Sequence, residues 1–306
     1  MRTFRRFLAA GWPKVSHLGA VVIASLAVAC NSSQAVLTQQ VQAERLASTL
    51  HIEFAKGNEA TNLAVLADTD DASKAAAQEA AASMTAAAET LARLIPLVES
   101  LGYATEKTTA EQFGSRFAEL KTLDSEILPL AVENTNLKAQ RLSFDDGQSA
   151  VDAAVKALRE ADGSGTGEPA VLVERIIGAL REIQVLEARH IAESNEDAMG
   201  RMEAQMHEAE GVALRGMSRL RHVSGTSSPA AGKARQAGDA NLDRADQAIE
   251  QFLAVNQQIV DLSRRNTNVR SLALTLGRRR VVAAECEDLL RTLETAVSSH
   301  QFRATR

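Results

Sequence analysis

The spacing of apolar residues constrains the fold of this chain more than any other feature of its sequence. Two stretches show it best, one with Val171, Ile176, Ile177, Leu180, Ile183 and Leu186 and one with Ile249, Phe252, Ile259 and Val269. Such spacing places the apolar side chains on one face of an α-helix. The intervening residues are mainly Ala, Leu, Glu, Gln and Arg, and aromatic residues make up only 3% of the chain, so strand formers are scarce. The sequence therefore predicts an all-α fold.

A short polar motif repeats along the chain. Asn-Thr-Asn occurs at 134–136 and 266–268, a related Thr-Asn-Leu lies at 61–63, and a faint copy surrounds 193–195. In each clear copy the polar residues precede about two helical turns, a turn of the chain and an Ala-rich returning helix. Because each such hairpin must bury its apolar stripe against another, the repeats predict tandem up-and-down antiparallel helical bundles.

Several segments are predicted to interrupt the helices. Turns are expected at 66–71, 143–147 and 276–278, a helix end at Gly102, a capping box at 108–111 that starts the next helix, and a flexible stretch at 224–232. Pro96 and Pro129 are expected to kink or restart their helices.

The glycine-rich segment 162–169 is the clearest linker. It divides the chain into a predicted signal peptide at 1–29, a first four-helix module at 30–163 and a second at 168–300. A different arrangement stays open, in which this segment is a surface loop within one long bundle.

The N-terminus has the layout of a secretory signal peptide. Four basic residues, Arg2, Arg5, Arg6 and Lys14, precede an apolar run that begins at Leu18 and ends in small residues before Cys30. The run is shorter than the roughly 20 residues that span a bilayer. Ala27-Val28-Ala29-Cys30 resembles the lipobox of bacterial lipoproteins, which implies a lipid on Cys30, and Asn31 then favours the outer membrane of a Gram-negative cell. The alternative is an ordinary cleaved signal in which Cys30 has no special role.

Charge and cysteine content narrow the range of partners. The whole chain has a net charge of −5, and removal of four basic residues with the signal leaves about −9, which argues against a nucleic-acid partner. Cys286 is the only cysteine besides Cys30, so no intramolecular disulfide is predicted. The predicted lipid is the membrane anchor.

The Thr-Asn-Leu hairpins, and above all the segment SRRNTNVRSLALTLGRRRVVAAECEDLLRTL at 263–293, resemble the periplasmic four-helix-bundle sensor regions of methyl-accepting chemotaxis receptors. The sequence departs from complete receptors, because it shows no second transmembrane helix, no HAMP-type linker and no methylated signalling hairpin. The resemblance therefore implies a sensing module tethered by lipid in the periplasm.

Asparagines of the repeated motif are the candidate binding residues: Asn134, Asn136, Asn266 and Asn268. Asn134 is in phase with Ile127 and Leu137, and Asn266 with Ile259 and Val269, which places both at or near the bundle core. Buried amides of this kind form polar layers that fix the register of helices. The alternative is a polar slot for a small ligand between helices.

Other motifs have structural interpretations. Glu187 and His190 form one Glu-x-x-His, whereas a di-iron bundle needs two. Met199, Met202 and Met206 share a helical face that is typical of core, Cys286 fits a small core residue, and the arginines at 264–265 and 278–280 fit solvated charges. No catalytic, metal or cofactor motif is visible, so neither enzyme activity nor a bound metal or cofactor is predicted.

Two functions fit these features. The first is a lipid-anchored periplasmic sensor that binds a small molecule or an envelope protein and signals to a membrane partner. The second is a structural lipoprotein whose bundles present helical faces to envelope proteins. Asn134 and Asn266 distinguish the two, because an open polar pocket at these residues favours sensing and their pairing with each other in a dry core favours scaffolding.

Replacement of Cys30 tests the anchor. In a Gram-negative host, Cys30→Ser should lose acyl labelling and membrane association, because no thiol remains to carry the lipid. Metabolic labelling with a fatty-acid analogue and membrane fractionation measure both, with Cys286→Ser as the matched control. Unchanged partitioning of the Cys30→Ser variant would refute lipidation.

Overall fold

The structure is a computed structural model that describes residues 17–162, 165–226 and 232–304, with side chains described for 34–162, 165–224 and 236–300. Every regular element in these ranges is helical, which confirms the all-α prediction. The α-helices are α1 (His17–Leu66), α2 (Asp70–Ser100), α3 (Ala104–Glu133), α4 (Thr135–Leu142), α5 (Gln148–Asp162), α6 (Gly167–Ala192), α7 (Glu196–Thr226), α8 (Gly232–Arg265), α9 (Thr267–Leu274) and α10 (Arg280–Ala304).

Two further segments are π-helical turns, Ser143–Gly147 and Thr275–Arg279. Each lies directly after a short helix, the first after α4 and the second after α9, and each leads directly into the next helix. The sequence predicts simple turns at both places. At 143–147 the chain instead stays helical and accommodates one wider turn. At Gly277 (φ −83°, ψ −123°) the backbone leaves the helical conformation, in agreement with the turn predicted at 276–278.

The helices form two compact units. Unit 1 contains residues 1–53, 85–115 and 286–306, and unit 2 contains 54–84 and 116–285. Unit 2 therefore takes residues from both sides of the predicted linker, where α5 ends at Asp162 and α6 begins at Gly167. Division into modules 30–163 and 168–300 stays a prediction.

Unit 1 buries the apolar faces of α1, α2, α3 and α10. Leu50, Leu94 and Phe113 are fully buried, and Leu290 and Leu293 are almost so. Cys286 is buried too, as its core interpretation predicts. The Tyr103 and His300 rings stack with centroids 3.7 Å apart.

Unit 2 contains a large apolar core between α5, α6, α7 and α8. Its buried residues include Leu158, Ile176, Leu180, Ile183 and Phe252. Helix α6 packs along α7, and α5 packs along α8. Met199, Met202 and Met206 are buried, the latter two within this core, which confirms their interpretation as core side chains. A smaller cluster joins Ala64, Val65, Ile127 and Ala131.

One predicted helix start, at the capping box 108–111, is wrong. Helix α3 begins at Ala104, and the Thr108 hydroxyl donates to the carbonyl of Ala104 inside the helix rather than capping a start. The left-handed backbone of Gly102 (φ 73°) already closes α2 through its N–H bond to the Glu99 carbonyl, so the next helix begins earlier. Pro96 and Pro129 lie inside α2 and α3, and neither restarts its helix.

The predicted signal peptide falls mostly outside what can be described. Residues 1–16 lie outside the described residues, and Cys30, although within the bounds of α1, lies outside the described side chains. Among the described residues, no helix has the length and hydropathy that a bilayer crossing requires.

Limited proteolysis tests the division at the linker. We expect cleavage within 162–169, because cleavage concentrates at loop tips of small residues. Because unit 2 contains residues from both sides of this segment, the two fragments that meet near Gly165 should remain together in native buffer. Size-exclusion chromatography followed by denaturing electrophoresis measures this, with the intact chain as control. Fragments that separate and each unfold cooperatively would instead support the two modules predicted from the sequence.

Candidate functional site

The two Asn-Thr-Asn motifs meet in unit 2. Asn134 (φ 54°, ψ 39°) and Asn266 (φ 54°, ψ 36°) adopt the left-handed conformation, each between the end of a long helix and the start of a short one. Asparagine is among the non-glycine residues that adopt this conformation most readily. Both residues therefore interrupt a helix, whereas the sequence places them within one. We call 134–136 and 266–268 together the Asn–Thr clasp.

Thr135 and Thr267 bond reciprocally at the centre of the clasp. The Thr135 backbone N–H donates to Thr267 Oγ1 at 3.0 Å, and the Thr267 N–H donates to Thr135 Oγ1 at 3.1 Å. The two hydroxyl oxygens are 3.2 Å apart and share a hydrogen bond. Both residues are buried and lie 132 positions apart in the sequence.

The asparagines repeat the same reciprocity around this centre. The Asn136 N–H donates to Asn268 Oδ1 and the Asn268 N–H donates to Asn136 Oδ1, each at 3.1 Å. Asn136 Nδ2 donates to Asn266 Oδ1 at 2.8 Å, and Asn268 Nδ2 donates to Asn134 Oδ1 at 2.7 Å. Equivalent bonds in both directions give the clasp an approximate two-fold symmetry.

The clasp also reaches neighbouring helix ends. Asn136 Nδ2 donates to the Ile191 carbonyl at 2.6 Å, and Asn266 Nδ2 donates to the Glu193 carbonyl at 2.8 Å. These carbonyls lie at the C-terminal end of α6, where helices leave carbonyls without partners in the helix itself. The four candidate asparagines thus lie together, and their amides bond to one another and to the backbone. Ligand binding by them stays a prediction.

Each short helix leads to a π-helical turn with a solvent-exposed apolar residue. Phe144 is 67% exposed in the first turn and Leu276 is 59% exposed in the second. Asp145 and Asp146 follow Phe144, whereas Arg278 and Arg280 follow Leu276, and all four are exposed. The two equivalent turns therefore carry opposite charge. Single-turn π-helices frequently occur at functional sites.

Arg279 corrects the interpretation of 278–280 as solvated charges. Its side chain is buried at 2% exposure, with Nε donating to Asp124 Oδ1 at 2.5 Å. Nη1 donates to Asn58 Oδ1 at 2.9 Å and to Asn62 Oδ1 at 3.3 Å. Burial raises the pKa of Asp124 above its usual value, and the opposing effect of Arg279 offsets only part of that rise. We call Arg279, Asp124, Asn58 and Asn62 the first polar site.

Glu187 is a buried acid near the other π-helical turn. Its side chain has 0% exposure; Oε2 accepts a hydrogen bond from Ser143 Oγ at 2.9 Å, and Oε1 accepts none from the described residues. Burial raises the pKa of Glu187 to about 7, against the weaker lowering effect of Ser143. A group of this kind is a candidate for function.

His190, one turn further along α6, is fully bonded. Its Nδ1 lies 2.6 Å from Ser263 Oγ, and its Nε2 lies 2.8 Å from Glu203 Oε1, which also accepts from Arg264. No group of three or more His, Cys, Asp or Glu side chains that could hold a metal ion is found in the described part of the chain. The Glu-x-x-His pair therefore divides into two separate contacts.

Unit 1 contains a polar cluster around His51. His51 lies between Glu287 and Glu294, with its ring nitrogens 2.8 and 2.9 Å from their carboxylates. Burial lowers the pKa of His51, but the hydrogen bonds and charges of Glu294 and Glu287 outweigh burial and raise the pKa above its usual value. The sequence analysis missed this cluster because its residues lie more than 230 positions apart.

In comparisons with known proteins, no protein-family model, curated protein or solved structure matches the chain significantly.

A double-mutant cycle tests the clasp. Thr135→Val and Thr267→Val should each destabilise the protein by about 1–3 kcal/mol, because each leaves the partner's buried N–H without an acceptor. The double variant should cost less than the sum of the two, since the hydroxyls bond each other. Urea unfolding followed by circular dichroism measures the free energies. Exposed Thr122, changed to Val, is the control and should alter stability by less than about 0.5 kcal/mol. Strict additivity would show that the two threonines do not act together.

Proposed function

We propose that this chain is a lipid-anchored envelope protein that serves as a helical scaffold and presents its helical faces to protein partners. The observation that carries the proposal is the mutual pairing of Asn134 with Asn268 and of Asn136 with Asn266. A ligand slot would need these amides open to an incoming molecule. In the clasp they hold two chain segments in register, which is an established use of buried asparagine.

The π-helical turns supply the faces that such a scaffold would present. Phe144 and Leu276 occupy the same position in their turns and are both largely exposed. Single exposed apolar residues are ordinary on protein surfaces. Here an exposed apolar residue recurs at the equivalent position of two repeats. Its neighbours are acidic in one turn and basic in the other. This pattern favours contact with other proteins.

Site-specific photo-crosslinking tests the scaffold. A photoreactive residue at position 144 or 276 should give discrete protein adducts in intact envelopes, because a bound partner lies against the turn. Val171 and Val185, which are 69% and 61% exposed on α6, are matched control positions for exposure and should give none. Equal labelling at all four positions, or no adduct at 144 and 276, would contradict the proposal.

The second candidate is a lipid-anchored periplasmic sensor module similar to the sensory regions of chemotaxis receptors. Glu187 favours it, because a buried acid without a compensating cation is unusual in a protein that only supports others. A sensor of this kind would bind its ligand away from the clasp and would transmit binding through the π-helical turn that Ser143 begins.

A further inference from the structure

Two stretches of unit 2, 124–150 and 256–282, correspond residue by residue at an interval of 132 positions. The interval relates the residues of the clasp, and it also relates the two π-helical turns, since Ser143–Gly147 corresponds to Thr275–Arg279. Buried positions follow it as well: Ile127 corresponds to Ile259 and Ala150 to Val282. Residues at this interval therefore occupy equivalent environments.

The last residue of the π-helical turn is charged in one half of unit 2 and has no side chain in the other. Arg279 ends the second turn and Gly147 ends the first. Arg279 binds Asp124, whose equivalent is Asn256, and Asn58 on α1. The ends of α1 and α6 lie 126 positions apart, so the equivalent of Asn58 on α6 is Gln184. The environment that receives a guanidinium in one half is thus reproduced in the other without the arginine.

The second environment has buried acceptors without donors. Asn256 Oδ1 and Glu187 Oε1 are both buried and accept no hydrogen bond from the described residues. Glu187 lies one helical turn before His190 and is held by Ser143, the first residue of the turn that Gly147 ends. The nearest atoms to a Cβ added at Gly147 would be the Leu142 carbonyl oxygen at 3.2 Å and Val255 Cγ1 at 3.7 Å, and Val255 directly precedes Asn256.

We propose that Glu187, Asn256, Ser143 and Gly147 form a binding site for a small organic cation with N–H donors, an alkylguanidinium or alkylamine. We call it the second polar site. Its acceptors are one carboxylate and one amide carbonyl, which are partners for N–H groups and too few to replace the oxygen shell of Ca²⁺ or Mg²⁺. The bound cation would stand where the guanidinium of Arg279 stands in the first polar site.

Binding at this site is coupled to pH. Glu187 is largely protonated below its pKa of about 7, and a cation binds the carboxylate, so binding should strengthen from pH 6 to pH 8 and release a proton. Ionisable and charged groups on the adjoining elements include His190 on α6, Glu203 on α7, Arg264 on α8, Lys138 and Arg141 on α4, Asp145 and Asp146 in the turn, and Asp152 on α5. His190, Glu203 and Arg264 bond one another, and Lys138 pairs with Asp70. None of these contacts supplies a cation to Glu187.

Thermal unfolding of the purified chain with methylguanidinium chloride tests the site. At about ten times its Kd, the probe should raise the melting temperature by about 2–4 °C at pH 8 and by less at pH 6. Tetramethylammonium chloride, which has the same charge and no N–H donor, should have no such effect. An equal rise with both salts would overturn the proposal, because only ionic strength would then be acting.

Two variants locate the effect. Glu187→Gln keeps the shape and removes the charge, so the methylguanidinium response should disappear. Gly147→Arg supplies the guanidinium from within, so the response should disappear and the melting temperature at pH 8 should rise. Gly178→Arg, on an exposed part of α6 where an added Cβ meets nothing within 4 Å, is the matched control and should keep the response.

Glu187→Gln decides the outcome even where Gly147→Arg fails to fold. The same methylguanidinium response in Glu187→Gln as in the unaltered chain would overturn the site. The inference rests on the second candidate function and leaves the scaffold untouched. If the unaltered chain gives no response to methylguanidinium but keeps the crosslinks at 144 and 276, the cation site alone is contradicted. If it gives the response but no crosslinks at 144 and 276, the scaffold alone is contradicted.

Discussion

The left-handed backbone of Asn134 and Asn266 is the constraint on which the rest of unit 2 depends. By interrupting two long helices at equivalent points, it turns the following backbone N–H groups toward the opposite segment, where Thr135 and Thr267 exchange hydrogen bonds. Each interrupted helix end would otherwise leave buried polar groups without partners, at a cost of about 1–3 kcal/mol for each group. The clasp satisfies both ends at once, so the two interruptions stabilise each other.

Much of this fold could be predicted from helical periodicity and turn chemistry alone. The periodicity predicts the helices, and Gly102 and the segment 66–71 predict real helix ends, because glycine and short polar side chains act locally. The turn predicted at 143–147 is wrong, since this segment has the composition of a loop while its packing keeps it helical. Propensity is a weak guide where tertiary packing opposes it.

The sites were harder to predict than the fold because they join distant residues. Sequence analysis places the asparagines in the core, but the pairing of Asn136 with Asn266 follows only once two segments 130 positions apart meet. Arg279 looks like one of three surface arginines, and only the first polar site shows it to be buried with Asp124. In the sequence, Glu187 stands out only as half of a Glu-x-x-His motif. The structure shows instead that it is a buried acid whose Oε1 accepts no hydrogen bond from the described residues.

The two halves of unit 2 also show why a repeat need not remain functionally equivalent. A buried ion pair such as Arg279–Asp124 gains little net stability, because removing both charges from water costs about as much as their attraction returns. Its main effect is to fix one arrangement of the helices around it. In the other half, Gly147 stands at the position of the arginine, so no ion pair fixes the arrangement of the helices there. The Glu187 carboxyl group accordingly has no cation from the chain as its partner. The first polar site therefore has its cation within the chain, whereas the second is proposed to take one from outside it.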